Sequence, residues 1–409
     1  MNILYICHYA GSPEYGMAYR MYYLGREWVK MGNTVTIVGA SQSHLRRVQP
    51  TVPKDLTKET IGGVNFLWLK TPAYESSISR IVNIFSFVGK LNRYAKRIAK
   101  EYAPDLVINS STYPLDTYPA RKIARISGAK LCFEGHDIWP LTPQIIGGYP
   151  SWHPFIFVMQ RAENYAYKHS DKVVSLLWNA EEHMKQHGLQ PGKFKCIPNG
   201  YSQEEWTDDN AERVLPEEHR RFFGSHEDKF IVGVIGGLAI SDSFETLIDA
   251  AEILRKDTQL HFVIVGKGPE REALEKYAAN KGLTNFTILG PVPKLAVPAV
   301  IKQYDVAYMS GVHSILHKYG TSYNKLTDYM LASKPILVSI DEPGSVVERV
   351  GCGIQVEAEN PEKVAEAITT LKAMTKEQRL QMGQRGYEYA TSNLEWSTLA
   401  KDFLDFIIE

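Results

Sequence analysis

Short runs of Val, Ile and Leu recur along the chain, each followed by a longer stretch in which apolar residues return every three or four positions. A compact apolar run reads as a buried strand, and a 3.6-residue period reads as a helix with one face in a core. Their alternation predicts βαβ units feeding a parallel sheet. In the first half, strands are expected at Ile3 to Cys7, Thr34 to Val38, Asn65 to Leu69, Leu106 to Asn109, Leu131 to Glu134, Lys172 to Leu176 and Lys195 to Ile197. A second series is expected at Ile231 to Ile235, His261 to Val265, Thr287 to Leu289, Val306 to Met309, Ile336 to Ile340 and Gly353 to Val356. The fold class is therefore α/β, with two doubly wound, Rossmann-like parallel sheets. Met17, Met21, Leu24 and Trp28, at i, i+4, i+7 and i+11, predict the core stripe of the first helix.

The turn signal Pro198-Asn199-Gly200 and the polar stretch after it divide the chain into residues 1–200 and 201–386. The last segment, Tyr387 to Glu409, has apolar residues at Leu394, Trp396, Leu399, Phe403 and Ile407, which predicts a helix crossing back onto the first domain. A length of 409 residues suits two domains. No apolar run reaches the ~18 residues of a spanning helix, and Met1 to Cys7 reads as a first strand rather than a secretory signal. The four cysteines are too scattered for a metal knuckle or a disulfide framework, so a reducing cytoplasm is the expected compartment. Charge is uneven: residues 1–200 hold 24 Lys and Arg against 14 Asp and Glu, and residues 201–409 hold 22 against 32. The basic half favours an anionic acceptor or lipid surface, although solvated helix faces account for such charges equally well.

In open parallel sheets, ligands bind beyond the carboxyl ends of the strands, so the chemistry is sought in the βα loops. Gly11 to Gly16 follows the first strand and opens the first helix, where backbone N–H groups can receive an anion or a hydroxyl. It ends in neither the Walker nor the dinucleotide pattern. His136 and Asp137 end another buried strand, where a histidine can touch substrate and a carboxylate can set its tautomer; a purely structural histidine is the competing reading. Gly236-Gly237 and Gly266-Lys267-Gly268 could each form a phosphate-binding turn or simply a turn. If Thr321 or Ser322 caps a helix, Lys325 and Asp328 share one face near its start. An ammonium there suits a phosphate and a carboxylate suits ribose hydroxyls; a plain i, i+3 ion pair is the alternative.

The order of these features resembles a GT-B glycosyltransferase of the retaining family 4, in particular its bacterial O-antigen and capsule subgroup. The carriers are Pro13-Glu14-Tyr15-Gly16 with Arg20, Gly32 to Val38, His136-Asp137-Ile138-Trp139-Pro140, Ile197-Pro198-Asn199-Gly200, Val265 to Glu270 and Asn324 to Met330 before Lys334-Pro335-Ile336. The resemblance implies two Rossmann-like domains facing across a cleft, the second holding a nucleotide-sugar donor, usually UDP-linked, and the first receiving the acceptor. It implies that Asp328 binds the ribose, Lys325 the diphosphate and His136 the donor sugar, with Gly16, Gly236, Gly237, Gly266, Lys267 and Asn324 completing the donor site. Arg20, Glu14, Asp137 and His317 are further candidates for phosphate or acceptor contact. The family's usual Arg and Lys fall on Gly237 and Asp242, and the first Glu of its Glu-x7-Glu pair falls on Gly320.

Transfer would then proceed with retention and without a protein nucleophile, a donor-phosphate oxygen taking the acceptor proton. No cofactor or metal is expected, because the sequence has no Asp-x-Asp for Mg²⁺ and no His/Cys cluster for zinc. No nucleic-acid partner is expected either. Ser79 to Val88, running into Lys90, Arg93, Lys96, Arg97 and Lys100, together with Trp152, Phe155, Ile156 and Phe157, fits contact with the inner face of a membrane and a polyprenyl-diphosphate-linked acceptor. A core-facing helix with a solvated basic side fits the same pattern. Two other classes compete: a UDP-sugar 2-epimerase, whose carboxylate and His-Arg constellation is not found, and a nucleotide-sugar-binding accessory subunit without turnover.

Overall fold

The computed structural model describes residues 1–16, 19–206 and 211–409, so Met17 of the predicted helical stripe lies outside the described residues. The chain divides into two compact units, Met1–Asn199 with Trp396–Glu409, and Gly200–Glu395.

The first unit is built on an eight-stranded sheet. Its strands are β1 (Asn2–Ile6), β2 (Thr34–Ala40), β3 (Thr57–Ile61), β4 (Val64–Leu69), β5 (Leu106–Asn109), β6 (Lys130–Gly135), β7 (Lys172–Ser175) and β8 (Phe194–Cys196), in the order β3-β4-β2-β1-β5-β6-β7-β8. Only β3 runs antiparallel, pairing β4 from Thr57 opposite Trp68 to Ile61 opposite Val64. The two faces of β1 show why the sheet is doubly wound. Ile3, Tyr5 and Cys7 pack with Trp28 and Phe403 on one side, while Leu4 and Ile6 pack with Phe87, Leu91 and Ala95 on the other. The central strands are thus apolar on both faces, which produces the unbroken Val/Ile/Leu runs of a buried parallel sheet.

The C-terminal helix Trp396–Ile408 closes the first of these cores. The Trp28 indole N–H donates to the Ala400 carbonyl at 2.9 Å, and Trp396 stacks on Tyr23 with ring centroids 5.6 Å apart. The returning segment is shorter than the sequence predicts. Residues 387–395 stay in the second unit, because Ala390 and Leu394 are buried in that unit's core and the Tyr201 N–H donates to the Leu394 carbonyl at 2.9 Å.

The second unit holds β9 (Phe230–Gly237), β10 (Leu260–Lys267), β11 (Phe286–Leu289), β12 (Val306–Ser310), β13 (Ile336–Ser339) and β14 (Gly353–Val356), all parallel, in the order β11-β10-β9-β12-β13-β14. The order reverses at β9 and β12, the kind of switch point at which loops diverge and leave room for a ligand. Two α/β units with parallel sheets, each covered on both faces, make up the GT-B architecture.

Candidate functional site

In the second unit the candidate residues gather where β9, β10 and β12 end. β9 runs two residues past its apolar stretch into Gly236 and Gly237, both exposed, with Gly236 at a φ of 146° that disfavours any side chain. Gly266 and Gly268 have a different cause: a Cβ on Gly266 would sit 1.9 Å from the Gly236 carbonyl oxygen, and one on Gly268 would sit 2.0 Å from that of Leu238. These glycines let the β9 and β10 loops touch backbone to backbone. Lys267, between them, is exposed.

The helix Asn324–Leu331 begins two residues later than a Thr321 cap, and one later than a Ser322 cap, would place it. Tyr323 occupies the cap position without a side-chain bond, because Thr321 is drawn away by Glu342: its N–H donates at 3.1 Å and its hydroxyl at 2.5 Å. Tyr329 fastens the helix to the sheet, donating to the Tyr308 carbonyl and accepting from the Ile235 N–H, both at 3.2 Å. Lys325 lies across Gly236, and its ammonium pairs with Asp242 at 2.7 Å, both side chains largely buried. Asp242 is the position at which the resemblance expects a lysine. The predicted i, i+3 pairing of Lys325 with Asp328 therefore does not form; the ammonium already has a carboxylate from the short helix Ile240–Asp242.

The Asp328 carboxylate is left with no hydrogen bond among the described residues, while its backbone carbonyl accepts from the Ala332 N–H at 3.1 Å. Burial pushes its pKa up to about 7, with Lys294 pulling the other way. Two further polar atoms close by in sequence are buried and unpartnered, Ser322 Oγ and His317 Nδ1, and burial lowers the His317 pKa. A buried polar atom without a partner costs roughly 1–3 kcal/mol, so Ser322 Oγ and His317 Nδ1 are groups whose missing bonds a ligand can supply. Asn324 is exposed at the start of the helix.

In the first unit the candidates surround Glu134, on β6. It is fully buried, accepts from Arg20 Nε and Nη2 at 3.0 and 2.9 Å, and is bonded by the Tyr5 and Ser110 hydroxyls. Burial alone would raise its pKa, but the Arg20 guanidinium and His136 outweigh that and hold it well below the usual carboxylate range. His136, at the strand's carboxyl end, places Nε2 2.7 Å from Ser110 Oγ and 3.3 Å from Glu134 Oε2, with its side chain 20% exposed. It is a ring aimed by a buried carboxylate and still open to a ligand. Arg20 is not the phosphate contact that the sequence suggests. It is 5% exposed, and besides Glu134 it donates to the carbonyls of Pro198 at 2.6 Å and Ile197 at 2.8 Å.

Asp137 and Glu14 reach solvent, and no bond fixes Asp137 to His136. Gly16 has a φ of 71°, and a Cβ there would meet the Arg47 side chain at 3.0 Å, so its conformation serves the loop. The first helix starts at Arg20 with Tyr19 as its cap, not directly at Gly16. Sequence reading missed Ser110 and Glu342, and it gave Glu134 and Asp242 no pairing role. The clue for Ser110 was available, since Asn109 to Tyr113 is a polar run at the end of an apolar strand.

Two family models match the chain. Residues 15–205 match the model described as Glycosyltransferase Family 4, and residues 229–373 match Glycosyl transferases group 1. The first match falls almost wholly in the first unit and the second match lies within the second unit. Over 169 residues the chain is 30% identical to a 2-deoxystreptamine glucosyltransferase of Streptomyces kanamyceticus, covering 40% of this chain and 42% of that protein. It is 26% identical over 189 residues, 44% of each, to Escherichia coli K12 WcaI, named as a colanic acid biosynthesis glycosyl transferase. These matches span less than half the length of either relative. Among solved structures, Anabaena HepE in complex with UDP shares the fold at a TM-score of 0.69 and 15% identity, covering 100% of both chains.

Proposed function

We propose, from these two glycosyltransferase domains, that the protein moves a sugar from a nucleotide-sugar, UDP-linked, to a glycan acceptor with retention of configuration. The observation that carries this reading is the unsatisfied set at the end of β9 and β12: the Asp328 carboxylate, Ser322 Oγ and His317 Nδ1, beside Lys325 over an open glycine turn. Vicinal ribose hydroxyls suit Asp328, and a diphosphate suits Lys325 and the backbone N–H groups of Gly236 and Gly237. His136 serves the sugar being transferred. As the bond to the diphosphate breaks, Lys325 and fixed N–H donors stabilise the growing negative charge, and a phosphate oxygen accepts the acceptor's proton. No side chain in this scheme forms a bond to the sugar, and none needs a metal.

The likeness to WcaI, and the exposed apolar residues of the first unit, support an acceptor in cell-surface polysaccharide assembly carried on polyprenyl diphosphate. Ile78, Val82 and Phe85 on the helix Ser77–Tyr102 are 76, 56 and 47% exposed, while Phe87, Leu91 and Ala95 of the same helix fill the core. Trp152 at 78% and Phe157 at 59% add to them, whereas Ile156 is buried and offers nothing to a membrane. No helix is long and apolar enough to cross a bilayer, so contact would be interfacial.

Thermal shift against UDP, GDP, CDP, ADP and dTDP tests the donor. A diphosphate at 100 Kd adds about 2.7 kcal/mol, and UDP is expected to give the largest shift. One observation favours a second reading, an accessory subunit that binds without turnover: two of the basic candidates, Lys325 in the second unit and Arg20 in the first, are already paired with carboxylates. UDP stabilisation without acceptor-dependent UDP release would select it.

A further inference from the structure

We infer that the first unit carries a divalent-cation site of the kind that takes Zn²⁺, formed by Glu163, His183 and His187. Glu163 lies on the helix Pro154–His169; His183 is on the helix Glu181–Gln186 and His187 is the C-cap residue just past its end, so the two imidazoles stand at i and i+4. That spacing puts two ring nitrogens on one side of a helix, and Glu163 faces them from the neighbouring helix. The three ligand atoms all lie within 4.8 Å of one another. His183 Nε2 is 2.9 Å from Glu163 Oε1, and His187 Nδ1 is 4.0 Å from Glu163 Oε2. A tetrahedral zinc with bonds near 2.0–2.1 Å needs ligand atoms about 3.3 Å apart, so side-chain rotations alone would bring the set into place.

Two features go beyond proximity. Glu163 is a carboxylate with only 1% exposure, and its only ion-pair partners among the described residues are these two histidines. In addition, Glu163 Oε2, Asn164 Oδ1 and His187 Nδ1 lie 2.6, 2.8 and 2.9 Å from a single nitrogen, Nε2 of Gln160. An amide nitrogen carries two hydrogens and cannot serve three acceptors. His187 Nδ1 and Asn164 Oδ1 are themselves 3.1 Å apart. Electron-pair donors thus crowd this corner, and in the tautomer that carries its proton on Nε2 His187 presents Nδ1 as a free lone pair, the form that ligates a cation. Tyr167, donating to Glu163 Oε1 at 3.0 Å, supplies the outer hydrogen bond that orients a ligating carboxylate. Asn164 Oδ1 or solvent would take the fourth position. Bound there, the ion would brace two helices of the first unit, a role separate from the donor residues of the second.

The test uses the full chain stripped with a chelator, dialysed against Zn²⁺ alone and assayed for bound metal and Tm. One equivalent per chain and a raised Tm are expected, with Co²⁺ giving the intense visible bands of tetrahedral coordination. His187→Ala, at a half-exposed helix end where loss of fold is not expected, should weaken binding at least tenfold, and the His183→Ala/His187→Ala double variant should abolish it. His226→Ala, in the second unit, should bind as wild type. Absence of bound zinc in the wild type overturns the site, as does undiminished binding in His187→Ala or equal loss in His226→Ala.

Discussion

The two candidate sites use buried charge in opposite ways. In the first unit, Glu134 is saturated by Arg20, Tyr5, Ser110 and His136, and Arg20 spends its remaining N–H groups on two carbonyls. In the second, the Asp328 carboxylate has no hydrogen bond among the described residues and burial lifts its pKa to about 7, with Ser322 and His317 holding unpaired atoms nearby. The contrast separates scaffold from receptor. A network that answers its own demands fixes the direction of one ring, His136. A set of unanswered groups is a cost carried by the free protein and recovered on binding.

The largest expected effect breaks the satisfied network. Glu134→Ala leaves the Arg20 guanidinium buried without its carboxylate, which should cost about 3–5 kcal/mol and appear as a large fall in Tm or as insoluble protein. An unchanged Tm would mean that solvent reaches Arg20. Next, His136→Ala should reduce turnover about a hundredfold, the scale of losing one fixed polar group at a reacting centre, while UDP affinity and Tm hold. Wild-type rates would remove His136 from the chemistry. Asp328→Ala should weaken UDP binding by ten- to a hundredfold, equivalent to ~1.5–3 kcal/mol for hydrogen bonds to a charged acceptor, read by calorimetry. Asp242→Asn frees Lys325 for the diphosphate and should tighten UDP about threefold; weaker binding would show that the pair positions the ammonium instead of restraining it.

The smallest effect is the most diagnostic. An acid whose folded pKa is raised keeps its proton in the native state after the unfolded chain, near 3.9, has released it. Between about pH 4 and 7 the native state holds more protons, so this residue's contribution to stability falls as pH rises and stays low above 7. Asp328→Asn should therefore melt a few degrees above wild type at pH 8, with the gap closing toward pH 4.5, even as it loses UDP. A gap independent of pH would mean that Asp328 is ionised throughout.

Much of this architecture was readable in the sequence because parallel strands buried on both faces leave continuous apolar runs, as at Leu106–Asn109, whose ends match the expected bounds; those of the partly buried edge strand Gly353–Val356 match as well. The antiparallel edge β3 escaped notice because Thr57-Lys58-Glu59-Thr60 looks like a polar loop; only every second residue turns inward. β9 and β10 also run longer than their apolar cores, since backbone pairing continues through Gly236–Gly237 and Gly266–Lys267. At the sites, residue types were legible and pairings were not. Arg20 meets a carboxylate 114 positions away and Lys325 meets one 83 positions away, and nothing local announces either. The same distance hid Glu163 from His183 and His187, so a zinc-type cluster was not expected from sequence.

The helix Trp396–Ile408 also sets an order of events during synthesis. The hydrogen-bond partner of Trp28 lies 372 residues downstream, and Phe403 and Ile407 belong to the core that Ile3 and Tyr5 begin. Domains ordinarily fold as they leave the ribosome, first one and then the next. Here the second unit, contiguous from Gly200 to Glu395, is complete while the first still lacks a wall of its core. The nascent first unit must therefore wait with Trp28 and its neighbours uncovered, a period in which a chaperone has something to hold.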